Sequence, residues 1–178
     1  TIHHFMQGGI PARDINYDIV RGFLEDSQHR IWVNYHGGIG CFDEQNWRIV
    51  PLKNKALEKY KMVNDFKEDS RHRIWVAATQ GLFVYSPTTR RALFPKDLVD
   101  DEATQMKLNG SCKALLIDHQ GWVWVGTLNG LFVINPKNKS SRFFGKAEGM
   151  PNEMINGMIE DRYGNVWVTT PNGLCRFQ

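Results

Sequence analysis

Four tryptophans, Trp32, Trp75, Trp124 and Trp167, stand 43, 49 and 43 residues apart, and the residues around them recur in register. Six positions before each indole lies an aspartate: Asp26, Asp69, Asp118 and Asp161. Six positions after each lies a glycine: Gly38, Gly81, Gly130 and Gly173. The residue before each tryptophan is Ile31, Ile74, Val123 or Val166, and the residue after it is Val33, Val76, Val125 or Val168. A period of this length marks a unit that cannot bury its apolar surface alone and must stack on copies of itself.

Within each unit the residues read as short strands. The last unit shows an apolar run over 154–160, a turn from Asp161 to Asn165, a β-rich run from Val166 to Thr170, a Pro-Asn-Gly turn and a further strand from Leu174 to Phe177. β-Branched and aromatic runs bounded by Gly, Asn, Asp and Pro are the hairpin signature. A fourth segment follows in the other units at 47–50, 91–94 and 141–144. Four strands in about 43 residues match one propeller blade. The reading is therefore an all-β chain, one domain over 1–178: a β-propeller of four four-stranded blades, with repeats near 6–50, 51–94, 95–144 and 145–178. No window carries a sustained helical period. The segment from Thr1 to Phe5 aligns with the fourth strands and can supply the outer strand that the last unit lacks. The ring then either closes through that N-terminal strand or is an open fragment of a larger propeller. The open form is favoured, and it implies a homodimer formed through exposed blade faces.

The punctuating residues have physical tasks. A carboxylate such as Asp118 or Asp161 accepts backbone N–H groups inside its turn, and Gly121 or Gly164 supplies a positive φ. His29 and His72 replace that glycine in the first two units, so those turns are expected to be built differently. Each tryptophan is expected to pack between neighbouring blades. Small residues (Gly22, Ala114 and Gly157) suit an inner strand near a crowded axis; Asp65 is the exception and is expected to face a central channel. A catalytic reading of the four aspartates fails on their identical placement, which a structural role predicts. The inserts near 51–62 and 95–111 read as solvated loops, including the acidic Asp97, Asp100, Asp101 and Glu102.

Charge and cysteine usage narrow the function. The net charge of +3 is small and dispersed, and the basic stretch from Arg48 to Lys61 lacks the interleaved aromatics of a base-stacking groove, so no nucleic acid is expected. Cys41, Cys112 and Cys175 and the six histidines show no metal-ligand spacing, so no metal and no cofactor are expected. No run approaches the ~20 apolar residues of a membrane-spanning helix. The start at Thr1 suits a processed protein or an excised piece, with any membrane contact made through the parent chain.

The stretches FLEDSQHRIWVNYHGGIGCFD, FKEDSRHRIWVAATQGLFVYS, LIDHQGWVWVGTLNGLFVIN and IEDRYGNVWVTTPNGLCRF resemble the two-component regulator propeller repeat. EGMP at Glu148–Pro151 and GGIP at Gly8–Pro11 are similar to that family's linker before the next unit. The third unit, with Gly126 and Thr127, is the closest in pattern, and the first, with Asn34 and Tyr35, the most distant. The resemblance implies a periplasmic, non-catalytic sensor segment of a hybrid two-component histidine kinase of Bacteroides type, recognising an oligosaccharide, with the kinase elsewhere in the parent protein. Ligands of propellers enter among the loops that join blades, here near 6–18, 51–62, 95–111 and 145–154, together with the short turns after each tryptophan strand. The candidate contacts are then Arg13, Tyr35, His36, Lys61, Asn64, Gln80, Asn129, Asn152 and Asn172, with Trp47, Tyr60 and Trp122 as spare aromatics. A protein-interaction scaffold without small ligand is the alternative; a propeller lyase or glycosidase would need an unrepeated acid-base cluster.

Overall fold

The computed structural model describes residues 20–178 apart from His36 and Trp47. The first sheet runs β1 (Val20–Glu25), β2 (Ile31–Tyr35), β3 (Gly38–Asp43), β4 (Arg48–Pro51). The second runs β5 (Val63–Glu68), β6 (Ile74–Ala78), β7 (Gly81–Ser86), β8 (Arg91–Leu93), and the third β9 (Cys112–Ile117), β10 (Val123–Thr127), β11 (Gly130–Asn135), β12 (Ser140–Phe144). The fourth has three strands among the described residues: β13 (Gly157–Glu160), β14 (Val166–Thr170), β15 (Gly173–Phe177). Every sheet is an antiparallel meander in sequence order. The segment Thr1–Phe5, assigned above to the missing outer strand, lies outside the described residues.

The sheets adjoin through their first strands, β1 beside β5, β5 beside β9 and β9 beside β13, as blades arranged around an axis must. Three apolar layers fill the spaces between blades. Trp32 and Ile39 meet Val63, Phe66, Ile74, Val76 and Tyr85 in the first. Trp75, Ala77, Leu82 and Val84 meet Leu115, Val123, Val125 and Phe132 in the second. Trp124, Leu131 and Val133 meet Ile155, Val166 and Val168 in the third. Alternation along β6 sends Ile74, Val76 and Ala78 to one layer and Trp75 and Ala77 to the other, so a strand with two neighbouring blades is apolar throughout. The indoles of the first three blades thus pack against the following blade: Trp32 meets the Tyr85 ring edge-on at 6.0 Å and Trp124 meets Phe177 at 5.3 Å.

Each aspartate holds its hairpin and its tryptophan at once. One carboxylate oxygen accepts two backbone N–H groups: Gln28 (3.0 Å) and Arg30 (2.9 Å) on Asp26, Arg71 (2.9 Å) and Arg73 (3.0 Å) on Asp69. The same holds for Gln120 (3.0 Å) and Trp122 (2.9 Å) on Asp118, and Tyr163 and Asn165 (both 2.9 Å) on Asp161. The other oxygen accepts the indole N–H six residues on, at 2.9, 2.8, 2.8 and 2.9 Å. The six-residue spacing is therefore the length of a turn plus one hydrogen bond across it.

Two expectations are corrected. The first two turns are not built differently: His29 and His72 take φ of 61° and 58°, the left-handed conformation that Gly121 and Gly164 adopt at 82° and 83°. The same backbone pair, illustrated by Asp69 N–H to Arg73 C=O and His72 N–H to Asp69 C=O (both 2.9 Å), closes each turn. The carboxylate hub over-determines the turn, so a non-glycine residue tolerates the strained φ. Asp65 joins two inner strands: it accepts the Leu115 N–H of the next blade at 2.8 Å and pairs with Lys67 at 3.0 Å. The 95–111 insert is not a solvated loop but two short helices, α1 (Pro95–Leu98) and α2 (Glu102–Leu108). Asp97 accepts the Phe94 N–H and Asp101 caps α2 through the Thr104 N–H, while Leu98, Val99 and Leu108 are buried in the layer between the second and third blades. Two of the four acids are caps, which a charge count cannot distinguish from solvated residues.

Burial pushes the Asp69 carboxyl up, but the Arg73 and Trp75 hydrogen bonds outweigh it and hold the group below the ordinary carboxylate range. A folded-state value depressed below the unfolded one contributes stability above about pH 4 that is lost as pH falls through the folded value. Urea unfolding is therefore expected to show stability dropping below about pH 4 in the wild type and a shallower drop in Asp69→Asn, which also loses about 1–3 kcal/mol at neutral pH. An unchanged acid slope refutes this. A methyl group on Gly126 would stand 2.6 Å from Ile155 Cγ2 across the third layer. Gly126→Ala is expected to cost about 1–3 kcal/mol by overpacking, and adding Ile155→Ala should cost less than the sum of the single changes. Strict additivity would show that the two sites do not touch.

Candidate binding cleft between the first two blades

The loop after β4 is anchored by its apolar residues and exposes its charged ones. Asn54 accepts the Ala56 N–H at 3.0 Å and starts a single 3₁₀ turn, Lys55–Leu57. Leu57 and Tyr60 then drop into the first apolar layer, where Tyr60 meets the Phe83 ring at 4.6 Å. Burying these two residues of the loop leaves Lys53, Lys55, Glu58 and Lys61 exposed around a depression. The result is a cleft of about 460 Å³, with walls that include Tyr35, Ile39, Asn54 and Tyr60. Three lysines against one glutamate make its rim cationic at neutral pH. Tyr60 is 2% exposed, and its hydroxyl has no hydrogen-bond partner among the described residues. Burial pushes its phenol up to about 12, so it stays a neutral hydroxyl at physiological pH.

Two of the candidate contacts, Tyr35 and Lys61, come together in this cleft. The Lys61 carbonyl also accepts the Gly37 N–H at 3.1 Å, joining the loop to the first blade. Asn64 is engaged elsewhere: its amide donates to the Cys112 carbonyl at 2.8 Å and so ties the second blade to the third. The Gln80 side-chain oxygen accepts the Met62 N–H at 3.4 Å. The Asn129 N–H donates to Thr127 Oγ1 at 3.0 Å, and Asn152 Nδ2 donates to Asn172 Oδ1 at 3.0 Å. These four asparagines and the glutamine are spread over the last three blades and do not converge. Arg13 and His36 lie outside the described residues, as does Trp47; Trp122 packs against the third apolar layer.

Lys53, Asn54, Lys55 and Glu58 were missed because a run of charge reads as solvated loop. The available signal was the pair of apolar residues inside that run, Leu57 and Tyr60, which must be buried and so fold the loop back on the blades.

A second cleft of about 300 Å³ opens between the turns of the second and third blades, beside Asp69, Arg71, Asp118, His119 and Lys137. At the junctions on either side of it a glutamate crosses between blades. Glu68 accepts the Ser27 N–H and hydroxyl, both at 2.7 Å, and Glu160 accepts the His119 N–H at 2.9 Å and faces its ring Nδ1. Ile117 occupies the equivalent place here, and the crossing is absent. Among the described residues no group of three or more His, Cys, Asp or Glu side chains is placed to hold a metal ion. No helix among them is long and apolar enough to cross a membrane.

Residues 149–172 match the two-component regulator propeller model. No curated protein matches the sequence. Among solved structures, the chain is similar to two extracellular domains assigned to hybrid two-component systems of B. thetaiotaomicron. One superposes with a TM-score of 0.77 at 20% identity, over 93% of this chain and 21% of that one. The other gives 0.70 at 21% identity, over 91% and 22%. Virginiamycin B lyase of Staphylococcus aureus also shares the architecture, with a TM-score of 0.60 at 13% identity over 92% of this chain and 57% of the lyase. At these identities the likeness establishes the propeller fold, and the chain spans about a fifth of each two-component domain.

Tyr60→Phe removes a buried hydroxyl that makes no bond, so the free protein is expected to gain up to about 1 kcal/mol or to be unchanged. Denaturant titration checks this, and a loss above about 1 kcal/mol would show that the hydroxyl is satisfied in solution.

Proposed function

We propose that this chain, whose residues 149–172 match the two-component regulator propeller model, is a ligand-sensing, extracytoplasmic segment of a hybrid two-component sensor that takes an oligosaccharide in the cleft between its first two blades. The observation that carries this reading is the convergence there of two tyrosines, three lysines and a buried, unpaired hydroxyl. Sugar recognition uses an aromatic wall with a few placed polar and charged groups. A ligand hydroxyl that reached Tyr60 would recover the hydrogen bond that residue now forgoes. The cationic rim favours sugars bearing carboxylate or sulfate over neutral ones. Ligand binding between two blades changes how they pack, and the change passes to a kinase elsewhere in the parent protein. A non-catalytic role is supported by the four aspartates, whose oxygens are committed to backbone and indole donors.

Isothermal titration against neutral and acidic oligosaccharides tests the proposal. The expected result is binding of at least one acidic sugar, weakened about tenfold by Lys55→Ala with Lys61→Ala and unaffected by Lys137→Ala in the second cleft. Both lysines are exposed, so the fold should survive, which far-ultraviolet circular dichroism verifies. Silence across the panel removes the oligosaccharide reading, and binding indifferent to the lysine changes removes the cleft.

A further inference from the structure

The first and third junctions between blades are bridged by the same polar contact, and the second has only its donor half. In each, the residue after one blade's turn aspartate faces the residue before the next blade's turn aspartate. At the first junction Glu68 accepts the Ser27 N–H and hydroxyl, both at 2.7 Å, and the His72 ring meets that hydroxyl at 2.7 Å. At the third, Glu160 accepts the His119 N–H at 2.9 Å, and the His119 imidazole occupies the space beside Gly164. A glutamate and an imidazole therefore fill both junctions.

At the second junction the equivalent places hold Ser70, Ile117 and Gly121. Ser70 offers the same N–H and hydroxyl as Ser27, but Ile117 packs on the apolar layer and brings no carboxylate to them. A side chain on Gly121 would meet nothing within 4 Å, so the imidazole's place is empty as well. The cleft of about 300 Å³ is the space these replacements leave. Its two wall carboxylates, Asp69 and Asp118, are spent on backbone and indole N–H groups. Arg73 pairs with Asp69 at 2.7 Å. Arg71 and Lys137, both exposed at the rim, have no acidic partner among the described residues. An unused donor pair thus sits beside two uncommitted cations.

We propose that the junction between the second and third blades binds a small di- or tricarboxylate from solution, where the neighbouring junctions use a glutamate of their own. One carboxylate of the ligand takes the Ser70 N–H and hydroxyl, as Glu68 takes those of Ser27, and another meets Arg71 and Lys137 through charge-assisted hydrogen bonds. The volume lies at the small end of ligand pockets, which suits a free organic acid better than a sugar chain. Both blades that wall the site lie wholly within the described residues, and the site stands whether or not the first cleft takes an oligosaccharide. The bound acid bridges two blades that lack the crossing glutamate, and so fixes how they pack.

Amide-resolved NMR on the full nitrogen-15-labelled chain tests this, with succinate and citrate titrated at constant ionic strength against sodium chloride. The Ser70 amide is expected to shift and saturate, while the Ser27 amide, already bonded to Glu68, stays in place. Lys137→Ala should weaken binding about tenfold. Ile117→Glu should abolish it by supplying the missing carboxylate from the chain itself, with near-ultraviolet circular dichroism unchanged. If that variant does not fold, Arg71→Ala with Lys137→Ala, both at exposed positions, should remove binding instead. A Ser70 shift no larger than that in chloride overturns the proposal. Binding that survives the folded Ile117→Glu variant or the double change overturns it equally, since the acid would then sit elsewhere. Inorganic phosphate binding more tightly than succinate overturns the assignment to a carboxylate.

Discussion

A single hydrogen bond, from an indole N–H to an aspartate six residues earlier, ties local structure to packing in this molecule. The carboxylate closes the hairpin by accepting two backbone N–H groups, and the same group fixes the height and tilt of the tryptophan ring that fills the space to the next blade. Loss of the carboxylate would leave buried donors without acceptors and free the ring that sets blade spacing. The blades thus share a turn as well as a strand pattern, and the turn is what keeps them in one register. His29 and His72, held at positive φ where two other blades use glycine, show how strongly the hub imposes its geometry.

With the indoles fixed, variation between blades is confined to the junctions and the loops. Asp65 and Asn64 cross from the second blade to the third through backbone partners, and Glu68 and Glu160 cross at the other junctions. The inserts differ most. One folds as two capped helices that add Leu98, Val99 and Leu108 to a core layer; the other wraps back through Leu57 and Tyr60 and leaves a charged cleft. The cleft with an aromatic and cationic lining arises where an insert, not a repeat, meets the blades. That is the expected division of labour between a rigid scaffold and variable loops.

Some of the site was legible in the residues and some was not. Tyr35 was named for its place at the turn after a tryptophan strand and Lys61 for its place in a loop that joins blades, and they do share a cleft. The side chains of Asn64, Gln80, Asn152 and Asn172 bond to the backbone or to each other, because asparagine and glutamine are as useful for joining chain segments as for binding a ligand. Nothing in their spacing distinguishes the two uses. The helices of the 95–111 insert escaped for a related reason: each is too short to show a period, and their caps read as surface acid.

What the residues alone determined is the repeating unit: an acid, an indole and a glycine at set spacings demand a hairpin that stacks on its neighbour, and that settles the all-β blade architecture. What only the tertiary structure decided is which polar groups remain unspent once the blades have packed. Spacing along a chain encodes local closure, which repeats; convergence of loops from different blades depends on distances across the fold, which no single stretch of sequence contains.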